Sequence, residues 1–355
     1  MAGAMARRVL EGVVAPHGMN SVLTCLAGAL QYAGEAVGYS YLMGVSGRAF
    51  RLQYSWCPSC PHAVVGYNVY DAALSVTGFA AHSYPLASWE AETRHQRGAT
   101  DQELASANAA MRASINAGVP VLMGSEECDL LVGYEPVGTE NPTGWLMRPR
   151  AWGARPSQEV LYAMPVDKLP WCIDTLERVG EPVARRQAVL DSLRRAVWLA
   201  REATLGGTSI GFAAWERWIS ELRDVEPVFA ESQGYLDQFD TQESAPFEIQ
   251  LGNAWCYDSL IDARRCAAEY LREQTGLFAA DVARALENAA AAYDHLVETL
   301  SPESGRTTCI APYPWMENEP WTQALRDEQS GRLSRAYERE QVAVAAIERA
   351  LAQAI

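Results

Sequence analysis

The sequence predicts an α+β domain over residues 1–170, an antiparallel sheet with packed helices, followed by an all-helical domain over residues 171–355. Three observations carry this. Helix and strand signals alternate through the first hundred residues. Several short apolar runs then succeed one another, at 119–123, 129–134, 144–148 and 159–164, with Gly, Pro and Asn between them, the pattern of consecutive sheet strands. From about residue 183 onward nearly every segment has helical period instead.

The elements follow in order. Asn20 or Ser21 caps a helix whose apolar residues Val22, Leu26, Ala29 and Ala33 recur at helical spacing and whose stop is Gly34. A short helix is expected over Tyr39–Val45, then a strand at Phe50–Tyr54. A helix from Asn68 to Val76 ends at Gly78, and a longer one from Asp101 to Ala117 ends at Gly118. Runs of strands after helices favour an antiparallel sheet with helices laid on it. Beyond Pro170, helices are expected over Val183–Ala203, Ile210–Leu222, Gly252–Glu273, Ala279–Leu300 and Ser330–Ala354. Trp198, Trp215, Trp218, Trp255 and Tyr293 read as core anchors between them. The loop Cys309–Trp315 is rich in proline and aromatics and is a candidate to line a cleft.

Composition narrows the function. The chain has 355 residues, 49% of them hydrophobic and 21% charged, enough for a substantial core. A net charge of -15 argues against a nucleic-acid or anionic-membrane surface, because phosphates repel it. No apolar run approaches the roughly 18 residues of a spanning helix. Arg7 and Arg8 are not followed by an unbroken apolar stretch before His17, so no signal peptide is expected. Several of the eight cysteines fall inside apolar helical patterns, which suits reduced, buried thiols and a cytoplasmic location.

Two segments carry the chemistry. His17-Gly18-Met19-Asn20-Ser21-Val22-Leu23-Thr24-Cys25 opens the first apolar helix. Gly118–Met123 followed by Glu126-Glu127-Cys128-Asp129-Leu130-Leu131-Val132-Gly133-Tyr134 reads as two buried strands. The helix start, with its Ala29-Leu30-Gln31-Tyr32-Ala33-Gly34 ending, resembles the butirosin biosynthesis protein H N-terminal family. The same arrangement occurs in the papain-like peptidases that mature bacteriocins. Leu42–Gly47, Phe50-Arg51-Leu52, Trp56-Cys57-Pro58-Ser59 and the Glu-Cys pair before Gly133-Tyr134 are similar to a bacterial branch of that family. The resemblance covers roughly residues 17–165, and more weakly 211–222 and 264–273. It implies a papain-like fold in which a cysteine opens the first helix and a histidine opens the later strand.

Counted on the matching residues, the family's nucleophile falls on Ser21 and its histidine on Glu127. The strand that supplies the third, orienting residue reads Gly144-Trp145-Leu146, without an Asp or Asn. The substitutions matter physically. A thiol at a helix N-terminus ionises readily, whereas a serine hydroxyl there needs a base in direct contact. Glu127 serves as that base only if burial raises its pKa. Neighbours in a strand face opposite ways, so Glu127 or Cys128 faces the cleft, not both. The matching register puts Glu127 there and Cys128 in the core, and a one-residue slip makes Cys128 a nucleophile candidate. A cleft carboxylate suits a cationic ligand. His17 lies near enough in sequence to approach Ser21, with surface or cap placement as the plainer role.

Trp56-Cys57-Pro58-Ser59-Cys60 has the form of a dithiol redox site, but Pro61 follows and no thioredoxin βαβ pattern surrounds it. Cys57, Cys60 and His62 are a weak zinc option that needs a distant fourth ligand such as Cys128. The plainer reading is a loop held by packing or a local disulfide, with no metal and no cofactor. The expectation is a cleft lined by Asn20, His17, Trp56, Cys57 and Trp145 around Ser21 and Glu127. It binds a small molecule or peptide, and the alternative is an acyl- or amide-transfer enzyme using Ser21 or Cys128.

Overall fold

The computed structural model describes residues 7–54, 68–90, 95–125, 127–141, 143–148, 161–163, 170–237, 244–301, 309–316 and 320–354. In chain order the elements are β1 (Arg8–Val9), α1 (Ser21–Tyr32), α2 (Tyr39–Val45), β2 (Gln53–Tyr54), α3 (Val69–Leu74), β3 (Phe79–Pro85), β4 (Ala87–Glu90), β5 (His95–Gly98), α4 (Asp101–Asn116), β6 (Val121–Gly124), β7 (Cys128–Tyr134), β8 (Trp145–Arg148), β9 (Tyr162–Ala163), β10 (Cys172–Arg178), α5 (Arg185–Arg201), β11 (Thr204–Leu205), β12 (Thr208–Ile210), α6 (Gly211–Arg223), α7 (Glu226–Leu236), α8 (Ala245–Gln274), α9 (Ala280–Leu300) and α10 (Gln323–Ala354). The protein is α+β. Two compact units divide it, one of residues 1–42 and 73–183, the other of residues 43–72 and 184–355.

The first unit is built on an antiparallel sheet in the order β3-β10-β6-β7-β8-β9, with β1 added to β7. The sheet reaches past residue 170 through β10, which the apolar pattern leaves unassigned. Its register aligns Cys172 with Gly124 and Gly124 with Cys128. Alternation puts these three on one face, and His82, Tyr84, Thr175 and Glu177 on the other. α1 packs against β6 and β7, burying Leu23, Cys25, Leu26, Ala27, Ala29 and Leu30. α4 packs against β3, β10, β6 and β7, and borders a groove of about 300 Å³ with His82, Tyr84 and Glu177.

Both helices start where local chemistry says they must. Asn20 Oδ1 accepts from Leu23 N at 2.9 Å, so Asn20 is the cap of α1 and Ser21 its first residue. At α4, Thr100 Oγ1 accepts from Glu103 N while Glu103 accepts from Thr100 N, a reciprocal capping box.

The second unit is mainly helical, but not helical throughout. β2, β12 and β11 form a three-stranded sheet. Gly206 and Gly207 both take positive φ (58° and 80°), and this two-residue turn folds 204–210 back as a hairpin where helical period alone suggests a plain linker. The strand expected at Phe50–Tyr54 is likewise shorter, since residues 48–50 wind into a 3₁₀ turn first. Trp215, Trp218 and Tyr293 are fully buried anchors, while Trp198 is 44% exposed and so is no anchor. Trp218 Nε1 donates to Asn253 Oδ1, and Asn253 and Gln329 exchange paired amide bonds.

The loop 309–316 is strapped to α8. Gln250 Nε2 donates to the Pro312 carbonyl at 3.0 Å, and the Tyr313 hydroxyl donates to Asp258 at 2.9 Å. Burial raises the Asp258 carboxyl above the ordinary aspartate range, against the lowering effect of the Tyr313 bond. A raised carboxyl pKa means stability that is present in acid and lost as pH climbs through the folded-state value. Asp258→Asn should therefore raise the thermal midpoint of this unit above neutrality and bring no gain in acid. A scan of midpoint against pH for the two proteins checks it, and parallel curves refute it.

Candidate functional site

α1 lies against β6 and β7, and its Cys25, one turn in from Ser21, meets Cys128 at the start of β7. Ser21 is the first residue of α1 and 8% exposed. Among the described residues its hydroxyl makes no hydrogen bond, to His17, Glu127 or any other group; its carbonyl accepts from Thr24 Oγ1 at 2.8 Å. His17 is exposed, four residues earlier on the approach to the helix. Asn20 is buried: its side-chain oxygen caps the helix, and its backbone N–H donates to the Tyr39 hydroxyl at 3.0 Å. The Tyr39 ring lies where a Gly18 side chain would stand, with 2.3 Å between a Cβ there and the ring.

Glu127 is half-buried in the turn just before β7, so strand alternation does not govern it. Ser125 donates both its N–H and its hydroxyl to the Glu127 carbonyl, at 2.9 Å each, which pins the turn by its backbone. Cys128 opens the strand and faces α1. The Cys25 thiol donates to the Cys128 carbonyl at 3.2 Å. A hydrogen bond with the Cys25 side chain, reinforced by burial, pushes the Cys128 thiol well above the usual thiol range. That is the reverse of what a thiolate nucleophile needs.

Cys172, on β10, stands across the side-chain-free Gly124 from Cys128. A Cβ on Gly124 would sit 3.0 Å from its sulfur. Burial, followed by the Asp174 carboxylate, pushes this thiol up to about 11, while a bond to Ser83 pulls the other way. Sequence reasoning missed Cys25, Cys172 and Tyr39 as members of this neighbourhood. Cys25 was in principle readable, four residues after Ser21 and so on the same helix face. Cys172 and Tyr39 carry no local signal.

Trp145 is fully buried, and its indole N–H donates to Asn108 Oδ1 at 2.5 Å, so its ring is core and offers no cleft face. Trp56, Cys57, Cys60 and His62 lie outside the described residues. Among the described residues no cluster of three or more His, Cys, Asp or Glu side chains is arranged to hold a metal ion. Nor, among them, is any helix long and apolar enough to cross a membrane. No protein-family model matches the chain, and no curated protein matches it.

Proposed function

We propose that the chain is a papain-like protein of the butirosin biosynthesis protein H N-terminal type that keeps the frame and has lost the acyl-transfer chemistry, binding a small molecule or peptide at the start of α1. On this reading it is a cytoplasmic protein whose helical part follows an N-terminal papain-like part. The observation that carries the proposal is the Ser21 hydroxyl, which makes no hydrogen bond to a base among the described residues. An unactivated serine hydroxyl is a poor nucleophile at neutral pH. The Cys128 thiol, held protonated by its bond with Cys25 and by burial, does not replace it. What favours the papain-like reading is the arrangement around α1: a capped helix packed on two central antiparallel strands, with Cys25 bonded to the start of β7.

Treatment of the full-length protein with a fluorophosphonate and with an acyl-chloromethyl ketone, followed by peptide mapping, tests the loss of catalysis. The expected result is no stoichiometric adduct at Ser21 or Cys128. An adduct at either residue that disappears in Glu127→Gln overturns the proposal in favour of an acyl- or amide-transfer enzyme.

A further inference from the structure

The start of α9 and the end of α10 pack together in the second unit and border a groove of about 140 Å³. Arg284 and Asn288 line it from α9, and Arg349 and Gln353 line it from α10. Each pair is spaced four residues apart and so shares one helix face. Among the described residues none of these four side chains makes a hydrogen bond or an ion pair. Other arginines of this unit find acids: Arg201 pairs with Glu348, Arg264 with Glu340, and Arg272 with Glu287 and Asp294. Those bonds also occupy the acids next in sequence to the groove, Glu287 beside Asn288 and Glu348 beside Arg349. Asp281 is the one carboxylate among the lining residues, and its Oδ1 accepts from the Val282 N–H at 2.9 Å. Two guanidiniums against one carboxylate leave the lining with surplus positive charge, in a chain whose net charge is -15.

The chemistry of a ligand can be read from this set. Two guanidiniums that share a groove repel each other unless an anion lies between them. All four uncommitted side chains carry N–H donors, and they stand on two opposite walls. One guanidinium fork satisfies a flat carboxylate, whereas donors on two sides suit oxygens spread over a tetrahedron. The volume is below the roughly 300 Å³ at which pockets for drug-sized molecules begin, so the groove encloses a phosphate and few further atoms. The chain's negative charge repels a polyanion or an anionic membrane, which leaves a small free ester as the source. We propose that the groove between α9 and α10 binds the phosphate of a small phosphate monoester, with Arg284 and Arg349 on its oxygens and Asn288 and Gln353 completing the donors. This is a second site, on the unit that does not carry α1, and it stands whether the start of α1 binds or reacts.

Amide NMR titration of the full chain with glycerol 3-phosphate, glycerol and acetate at constant ionic strength tests it. Glycerol 3-phosphate should shift the amide signals of residues 284–288 and 349–353 saturably, and glycerol should not. Acetate, with one charge and two oxygens, should bind about tenfold more weakly or less. Arg284→Gln and Arg349→Gln, both at exposed positions, should each weaken the phosphate ester about tenfold or more, since each removes a hydrogen bond to a charged group. Asp281→Asn, which takes the one carboxylate out of the lining, should tighten it. Co-sedimentation with phosphatidylcholine vesicles containing phosphatidic acid separates a free ester from a lipid headgroup, and no co-sedimentation is expected. Absence of a saturable shift at these residues, equal affinity for acetate, or undiminished binding in either arginine variant overturns the site. Vesicle binding that is lost in the arginine variants overturns the assignment to a free ester.

Discussion

Glu340→Ala should lower the stability of the second unit by about 3–5 kcal/mol, the largest effect expected of any single replacement argued for here. Arg264 Nε and Nη2 donate to the two Glu340 oxygens at 2.7 and 2.8 Å, and the side chains are 1% and 3% exposed. Arg264 Nη1 also donates to the Ala49 carbonyl at 2.7 Å, and the guanidinium lies 5.6 Å from the centre of the Tyr293 ring. Removing the carboxylate strands a guanidinium that cannot shed its proton at any accessible pH. The intact pair is a poorer source of stability than that loss suggests, since both charges had to leave water. The double variant Arg264→Met, Glu340→Leu should therefore recover most of the loss, though Ala49 O is then left without its donor. Urea titrations of the three proteins separate these terms. A single-variant loss below about 1 kcal/mol would show that the pair is solvated and that its burial carries no penalty.

That pair also shows where local sequence pattern stops being informative. Ala49 and Arg264 are 215 positions apart, and nothing in the period of either segment says that residues 43–72 join a helical unit begun at residue 184. Period does identify the long helices, because α5, α6, α8, α9 and α10 each bury a stripe wide enough to mark. It fails for β3 and β10. β3 reads Phe-Ala-Ala-His-Ser-Tyr-Pro and β10 reads Cys-Ile-Asp-Thr-Leu-Glu-Arg, and neither alternates cleanly enough to stand out. Their pairing across seven positions supplies what the local pattern lacks.

The candidate site divides the same way. Ser21 is legible as a helix start because a capping Asn precedes an apolar run. Glu127 is not legible from strand alternation, because it lies one residue before the strand begins. The contact between Cys25 and Cys128, 103 positions apart, depends on how α1 lies across β7, which no one-dimensional pattern contains.

How α1 is held there leads to the last expectation: Gly28→Ala should destabilise the first unit by about 1–3 kcal/mol, although it replaces glycine inside a helix. Helix propensity alone argues the opposite sign, since alanine is favoured over glycine by roughly 1 kcal/mol at an ordinary interior position. The outcome turns on what the new methyl group meets. A Cβ at Gly28 would stand 2.6 Å from the Val14 carbonyl oxygen and 3.0 Å from Ala15 Cα. Both are main-chain atoms, which cannot rotate aside as a side chain does. Either the 14–15 segment lifts off or α1 shifts on β6 and β7, and a shift moves Ser21 and Val22 with it. Gly38→Ala, where a Cβ meets nothing within 4 Å, is the matched control and should be close to neutral. Thermal unfolding of the two variants, with amide spectra of the helix start, distinguishes the cases. Destabilisation with displaced Ser21 and Val22 signals means that the crossing at Gly28 sets the position of the site. A stabilised Gly28→Ala would mean that the 14–15 segment yields freely and that α1 is located by the sheet alone.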